Sequence, residues 1–377
     1  MQAYSSCSHA EVHSQKSRSA SLHGSNSKEE NNLSSNKEKL FSSFLVSKVS
    51  SLKHSLLTQE APTQKPPESP PITASCCRIR RSPEPRALVG EAKVIVAGGS
   101  ESMSLAPQVL KGTRFGSPNK APVVEDMLWG VLVDKYVGCG MGMTAENLSE
   151  KYTISREEQD EFAIESQKKA NEARDSGRFA EEITPIVIKD RKGKEIVIKV
   201  DEHIKDGVSK EGLAKLKPAF KAEGTVTPGN ASGINDGAAA VILASEDYVQ
   251  EHNVKPLAKI VSWGVAGVDP SIMGIGPVPA SKKALEKAGL NLEDIDLFEF
   301  NEAFAAQSLA VVKELGINQE KVNVNGGAIA LGHPLGASGA RITYSLALEM
   351  KKRNLKYGLA SLCIGGGQGI AIILENV

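Results

Sequence analysis

Three short clusters in the last quarter of the chain place reactive side chains beside glycines or at the ends of predicted elements. Cys363 precedes three glycines at 365–367, whose unhindered backbone N–H groups suit a thiol acting as a base or nucleophile beside an oxyanion hole. His333 lies between Gly332 and Pro334, where it can take a proton from a nucleophile or donate to a developing oxyanion. Asn301 stands between an apolar strand and a helix, at a position where loops carry function.

Each of these residues also has a purely structural interpretation. Taken alone, Asn301 is best interpreted as a helix N-cap, a role that asparagine fills well. A lone histidine such as His333 is more often structural, and Cys363 also fits a buried thiol beside a tight turn. No pair of cysteines has the spacing of a zinc site, so the sequence predicts no metal centre.

Composition excludes several classes of protein. The 377 residues carry 45 Lys+Arg and 45 Asp+Glu, a net charge of zero, which excludes a broad nucleic-acid-binding surface. No apolar run approaches the roughly 18 residues needed to span a membrane. The five cysteines are too few for a disulfide scaffold and fit a reducing compartment.

Residues 1–86 differ in composition from the rest of the chain. Residues 1–39 are mostly Ser, Asn, Lys and Glu, and we predict that they are disordered. Apolar residues recur at helical spacing over 40–57, which predicts an amphipathic helix, and a proline-rich linker follows at 61–71. The chain lacks the pattern of a signal peptide, and early glutamates argue against mitochondrial import. We therefore expect a cytoplasmic protein, with mitochondria as the alternative.

From about residue 87 onward the pattern is that of a layered α/β protein. A capping box at 155–158 opens a helix that Gly177 ends, and residues 186–200 form a hairpin. Strands are predicted over 93–97, ending at Gly98-Gly99, and over 237–244, 257–263, 294–300, 359–363 and 370–374, with helices over 280–288, 303–315 and 340–350.

Taken together, these segments resemble one family, the thiolases, and in particular the biosynthetic acetyl-CoA C-acetyltransferases. The resemblance covers residues 87–377 and rests on six motifs in a fixed order. They are 96–104 (VAGGSESMS), 141–147 (MGMTAEN), 229–237 (GNASGINDG), 301–304 (NEAF), 332–334 (GHP) and 363–367 (CIGGG).

The resemblance implies a five-layered αβαβα fold of two similar halves with an inserted loop domain. Residues 87–250 would be the remainder of the N-terminal thiolase domain, including a loop domain at about 111–227 that covers CoA. Residues 257–377 would be the C-terminal thiolase domain, and residues 1–86 have no family counterpart, which leaves the N-terminal half incomplete.

The same resemblance implies the reaction and its partners. Two acetyl-CoA molecules would condense to acetoacetyl-CoA and CoA, or the reverse thiolysis would run. The CoA thioester is then the substrate, and no cofactor is needed. Homo-oligomers are expected from the family.

Roles for individual residues are likewise carried over from the family. His333 would activate the nucleophilic thiol and help hold the thioester oxygen, and Cys363 would remove the methyl proton. Asn301 would orient a water in the first oxyanion hole, and the Gly365 N–H would serve the second. The residues expected to line the substrate path are Ser232, Ala303 and Phe304 along the CoA arm, and Leu132 and Met141 along the pantetheine.

One departure separates this chain from the family pattern. The family's acyl-accepting cysteine precedes the Ala-Gly-Gly strand, and its spacing counted back from Ala97 lands at Thr73. Cys76 lies nearby, but arginines follow it where the family has packed apolar residues. Three interpretations therefore stay open: a working acetyltransferase, a catalytically inactive thiolase-fold chain that at most binds CoA or partners another subunit, and a small-ligand-binding module of another α/β type. Gly140 also stands where many family members have histidine.

Overall fold

The structure, a computed structural model, describes residues 43–46, 92–114, 116 and 120–377. The strands are β1 (Ser43–Val46), β2 (Val94–Ser102), β3 (Gln108–Lys111), β4 (Val123–Asp126), β5 (Ile186–Lys189), β6 (Glu195–Ile198), β7 (Asp236–Ser245), β8 (Ala258–Gly267), β9 (Leu297–Phe300), β10 (Tyr357–Ile364) and β11 (Gln368–Asn376). The α-helices are α1 (Met127–Val131), α2 (Met141–Tyr152), α3 (Arg156–Asp175), α4 (Lys210–Ala214), α5 (Glu246–Glu251), α6 (Pro277–Ala288), α7 (Ala305–Leu315), α8 (Ala328–Leu331) and α9 (Leu335–Arg353). The disorder predicted for 1–39, the linker at 61–71 and Cys76 lie outside the described residues.

A seven-stranded mixed sheet in the order β2-β7-β1-β8-β11-β10-β9 forms the centre of the fold. Helix α9 contacts β2 and β7 at one end of this sheet and β9 and β10 at the other, so the strands curve around it. Ile342, Leu346 and Met350 of α9 are fully buried in the resulting core. Helices α6 and α7 pack in a separate apolar cluster against the strands. The described residues therefore form alternating layers of helix and sheet, as the sequence predicts.

The helix predicted over 40–57 is wrong at residues 43–46, because these residues form strand β1. This strand pairs antiparallel with β7 on one side and with β8 on the other. Pairing on both edges satisfies the backbone polar groups of an extended Ser-Phe-Leu-Val segment. Tertiary pairing thus overrides the local helical spacing. The remainder of the predicted helix lies outside the described residues.

Most other elements are confirmed within a few residues. The capping box at Ser155 and Glu158 opens α3, and Gly177 follows that helix with a positive φ of 78°. Residues 186–198 form the predicted hairpin of β5 and β6. The strand predicted over 294–300 begins later, at Leu297, because residues 292–294 form a 3₁₀ turn.

Strand β2 does not end at Gly98-Gly99, as predicted, but continues to Ser102. The glycines are needed for close packing instead of for a turn. A Cβ on Gly99 would lie 2.0 Å from the backbone oxygen of Gly336 in α9. A Cβ on Gly98 would lie 2.3 Å from the Ala239 oxygen on the neighbouring strand. Small residues in this strand therefore allow α9 to pack directly on the sheet.

We expect Gly99→Ala to destabilise the fold, because the new methyl group overlaps the backbone of α9. The expected cost is about 3 kcal/mol in the free energy of unfolding, the upper end of overpacking penalties. Gly339→Ala is the matched control, since a Cβ there meets nothing within 4 Å. This helix-interior change should instead stabilise by about 0.5–1 kcal/mol. Urea titration of both variants tests the contrast, and an equal loss in the two would contradict it.

Candidate active site

Asn301 and His333 are in direct contact although 32 positions separate them in the sequence. The Asn301 Nδ2 and His333 Nε2 atoms are 3.2 Å apart. The Asn301 backbone N–H donates to the Ser361 oxygen of β10 at 3.0 Å, which extends the pairing of β9 and β10 by one residue. The N-cap interpretation of Asn301 is wrong, because Phe304 is the N-cap of α7. The side chain of Asn301 is 1% exposed and is turned towards the histidine instead.

The loop that carries His333 is held by hydrogen bonds at the histidine backbone and at its imidazole ring. The His333 backbone N–H donates to Asn235 Oδ1 at 3.2 Å, and the ring Nδ1 lies 2.6 Å from Ser338 Oγ. Gly332 has a φ of +96°, and a Cβ there would lie 2.4 Å from Asn235 Cγ. Sequence reasoning gave no role to Asn235 or Ser338. Their position inside or beside the family-like motifs was the only signal for them.

Hydrogen bonding assigns the tautomer of His333. The Ser338 hydroxyl donates to the Pro334 oxygen at 3.0 Å, so the ring Nδ1 carries the proton that it shares with Ser338 Oγ. Nε2 is then unprotonated and accepts from the Asn301 amide. Burial, with a smaller contribution from the Arg341 charge, lowers the pKa of His333 to about 4. The imidazole is therefore neutral at pH 7, and its unprotonated Nε2 faces the Asn301 amide.

Cys363 lies on β10, next to β9, the strand that ends one residue before Asn301. Its register partner on β11 is Gly369, and Ser361, two residues earlier, pairs with Phe300 of β9. Because β9 and β10 are parallel, Asn301 and Cys363 occupy the same edge of the sheet. Burial raises the pKa of Cys363 to about 12, so the thiol is protonated at neutral pH. Once deprotonated, such a thiolate is a strong base.

The turn after β10 is anchored to the segment that precedes α2. The Gly366 N–H donates to Asp134 Oδ2 at 2.9 Å. A Cβ on the exposed Gly365 would lie 3.5 Å from Met141 Sδ, and the Met141 N–H donates to the Leu132 oxygen at 2.8 Å. Gly365, Met141 and Leu132, three of the predicted site residues, therefore lie together. Asp134 was missed by sequence reasoning.

Ser232, Ala303 and Phe304 form a second group next to Asn301. Both the N–H and the hydroxyl of Ser232 donate to the Ala303 oxygen, at 3.0 and 3.1 Å. Phe304 meets the ring of Phe220 edge-on, with 6.2 Å between the ring centroids. Ala303 and Phe304 follow Asn301 by two and three positions, and Ser232 is hydrogen-bonded to this segment. The three predicted CoA-arm residues are thus close together.

Neither a membrane helix nor a metal centre is seen in the part of the chain that the structure describes. Over these residues no helix is both long and apolar enough to cross a membrane. In the same ranges, no group of three or more His, Cys, Asp or Glu side chains is placed to hold a metal ion.

Comparison with known protein families shows to which family the chain belongs. The family model for the thiolase N-terminal domain matches residues 86–247, and that for the C-terminal domain matches residues 254–376. The chain belongs to the thiolase family. Among curated thiolases, the acetyl-CoA acetyltransferase of Syntrophomonas wolfei is 56% identical over 291 residues, 76% of this chain and 73% of that protein. The human mitochondrial 3-ketoacyl-CoA thiolase is 55% identical over 289 residues, 76% and 72% of the two chains.

Solved structures show the same thiolase fold. The crystal structure of human mitochondrial 3-ketoacyl-CoA thiolase matches with a TM-score of 0.76 and 54% identity, covering 78% of this chain and 74% of that one. The Bacillus anthracis acetyl-CoA acetyltransferase also gives 0.76, with 52% identity over the same shares. A third match is the human enzyme in complex with CoA, with a TM-score of 0.75 and 53% identity over 78% and 73% of the two chains. This thiolase-family chain is therefore an acyltransferase by family, with a layered thiolase fold.

Proposed function

We propose that the site performs the chemistry of an acetyl-CoA C-acetyltransferase, the condensation of two acetyl-CoA molecules to acetoacetyl-CoA and CoA and the reverse thiolysis. The observation that carries the proposal is the contact of Asn301 with His333 at the sheet edge that also holds Cys363. An amide, a neutral imidazole and a thiol at one edge are the groups that thioester enolisation requires.

The proton chemistry follows from these three side chains. The Cys363 thiolate takes a proton from the methyl group of bound acetyl-CoA, and the electron pair of the C–H bond moves into an enolate. Asn301 Oδ1 is buried and accepts no hydrogen bond from the described residues, so it is free to orient a water towards the thioester oxygen. The Gly365 backbone N–H serves the second oxyanion. The enolate carbon then attacks the carbonyl carbon of a second acetyl thioester, and a C–C bond forms as the C–S bond of that thioester breaks. The released thiolate takes the proton back from Cys363, which restores the Cys363 thiolate.

We assign the CoA thioester as the substrate, with no further cofactor. Ser232, Ala303 and Phe304 would contact the CoA arm, and Leu132 and Met141 the pantetheine path. The relatives named acetyl-CoA acetyltransferase favour the acetyl group as substrate, whereas those named 3-ketoacyl-CoA thiolase mark longer chains as the alternative. A homo-oligomer and a cytoplasmic location complete the proposal, with mitochondria as the alternative compartment.

Calorimetric titration with CoA tests the binding part of the proposal. We expect measurable heat at millimolar CoA, because the Ser232–Ala303–Phe304 group is assembled in the fold. Phe304→Ala should weaken binding at least about fivefold, the loss typical of an interface residue worth more than 1 kcal/mol. Tyr248→Ala on α5, which removes a ring stacked on His252, is the control and should bind like the wild type. A folded chain that gives no CoA heat would contradict the assignment.

A specific observation favours a second candidate for this polypeptide, an inactive thiolase-fold chain that binds CoA or partners another subunit. Among the described residues the cysteines are Cys139 and Cys363. Cys363 is assigned to proton transfer, and counting back from Ala97 by the spacing of the family's acyl-accepting cysteine lands on Thr73. The two candidates differ in one step, the formation of an acetyl-enzyme, and both predict CoA binding.

A further inference from the structure

Glu302, the neighbour of Asn301, is a buried carboxyl that joins three separate segments. Its side chain is 1% exposed. Oε1 accepts from Asn323 Nδ2 at 2.7 Å, whereas Oε2 accepts from Ser166 Oγ at 2.7 Å and from the Ile329 N–H at 3.2 Å. All three partners donate to the carboxyl, which is the pattern that a carboxylate requires.

Two of these partners, Ser166 and Ile329, belong to separate helices near the site. Ser166 lies on α3, in the part of the chain predicted to form the loop domain. Ile329 lies on α8, whose C-terminal end leads into Gly332 and His333. The Gly327 N–H donates in turn to Ser166 Oγ at 3.1 Å, so the start of α8 is held at two points.

The backbone at Gly327 is packed directly against the carboxyl of Glu302. A Cβ on Gly327 would lie 2.1 Å from Glu302 Cδ. The chain therefore passes Glu302 at a distance that only glycine permits, six residues before His333 and five before Gly332. Displacement of this carboxyl would move α8 and, with it, the histidine loop.

A second buried carboxyl on β9 provides the contrast. Glu299 is 2% exposed, and burial raises its pKa to about 8. Among the described residues no donor makes a hydrogen bond to its side chain, and it holds neither α3 nor α8. Burial is thus common to Glu299 on β9 and Glu302 beyond its end, whereas the link to the histidine loop belongs to Glu302.

We propose that Glu302 is a positioning residue that sets the contact between Asn301 and His333 by tying the end of β9 to α3 and α8. The expected effect of Glu302 on turnover rests on the proposed function. Its effect on the position of His333 does not depend on turnover. Glu302 touches neither the substrate nor the reacting atoms. It acts through the two residues that flank its hydrogen-bond network, Asn301 before it and His333 beyond α8.

The test is Glu302→Gln in the full chain, with Glu299→Gln as the matched control. Glutamine keeps the shape of the glutamate side chain. Its NH₂ group, however, replaces an oxygen that accepts a hydrogen bond, so two donors face each other and one hydrogen bond is lost. We expect the pKa of His333, followed by NMR of ¹⁵N-histidine-labelled protein, to rise by about one unit towards its ordinary value as water reaches the ring. Hydrogen exchange at the methyl group of acetyl-CoA should fall about a hundredfold, the loss that a misplacement of about 1 Å causes. Glu299→Gln should leave both quantities at the wild-type values.

The two measurements separate this inference from the proposed function. If the wild-type chain exchanges no methyl hydrogen, the proposed function fails, and the His333 pKa alone decides the role of Glu302. A folded Glu302→Gln chain with an unchanged His333 pKa overturns the positioning role. Should Glu302→Gln fail to fold, Ser166→Ala removes a single anchor of the same network. The expected result for Ser166→Ala is a smaller upward shift of the His333 pKa, and no shift overturns the inference.

Discussion

Incubated with radiolabelled acetyl-CoA, the 377-residue chain is expected to acquire no stoichiometric covalent acetyl group. Acetyl transfer requires a thiolate to attack the thioester and release CoA. Cys363 is assigned to proton transfer, and the spacing of the family's nucleophile, counted back from Ala97, lands on Thr73 instead of a cysteine. Thiolysis of acetoacetyl-CoA should accordingly fall about 10⁴- to 10⁶-fold below that of a complete thiolase, the loss that follows removal of a covalent nucleophile.

Cys76 is the residue that could reverse this result. The arginines at 78, 80 and 81 would lower the pKa of a nearby thiol and favour the nucleophilic thiolate. The matched pair of variants is therefore Cys76→Ser and Cys139→Ser. Stoichiometric label that disappears in Cys76→Ser and persists in Cys139→Ser would restore the working acetyltransferase. Absence of label from the wild-type chain is the expected result, whereas stoichiometric label that persists in both variants would show that another residue accepts the acetyl group.

Cys363→Ser is expected to lower hydrogen exchange at the methyl group of acetyl-CoA about 10²- to 10⁴-fold, the contribution of a positioned general base. This step needs no acetyl-enzyme, and the serine hydroxyl stays protonated, so it provides no anionic base in place of the thiolate. Mass spectrometry of acetyl-CoA recovered from deuterated buffer measures the exchange. Cys139→Ser is the control, because this buried cysteine has no assigned part in the chemistry.

The pH dependence of this exchange follows from the thiol. Burial raises the pKa of Cys363 to about 12, so below that pH each added unit increases the thiolate fraction about tenfold. The rate should therefore rise continuously between pH 7 and 10, without a plateau. His333, whose pKa is lowered to about 4, stays neutral throughout this range and adds no inflection. A plateau near pH 8 would show that another group is the base.

Sequence patterns predict the elements of this fold well where short-range rules decide them. The cap at Ser155, the glycine after α3 and the hairpin of β5 and β6 depend on neighbouring residues, and each is found as predicted. Strand β1 could not be predicted, because its pairing partners β7 and β8 lie about 200 positions away in the sequence. The end of β2 could not be predicted for the same reason. Its glycines indicate a turn in the sequence, whereas in the structure Gly99 allows α9 to pack closely on the strand.

The candidate site was predictable in its residues but not in its contacts. Glycine-rich motifs point to His333, Cys363 and Gly365, yet no local rule indicates that Asn301 faces His333 instead of capping a helix. Asn235 and Asp134 accept hydrogen bonds from backbone N–H groups 98 and 232 positions away in the sequence. Such partners depend on the three-dimensional meeting of loops, which a single sequence does not reveal.

The central position of α9 means that the two family-matched halves share one hydrophobic core. Val241 and Leu243 from the N-terminal match and Leu297 and Leu374 from the C-terminal match are buried in the same cluster as Leu346. Loss of this packing by one half would expose the apolar surface of the other, so we expect both halves to unfold in one cooperative transition. CoA bound at the proposed site beside Phe304 would then stabilise the distant strands β2 and β7 as well, by the full linkage term RT ln(1 + [CoA]/Kd). Chain segments that never touch the ligand would thereby be protected from proteolysis.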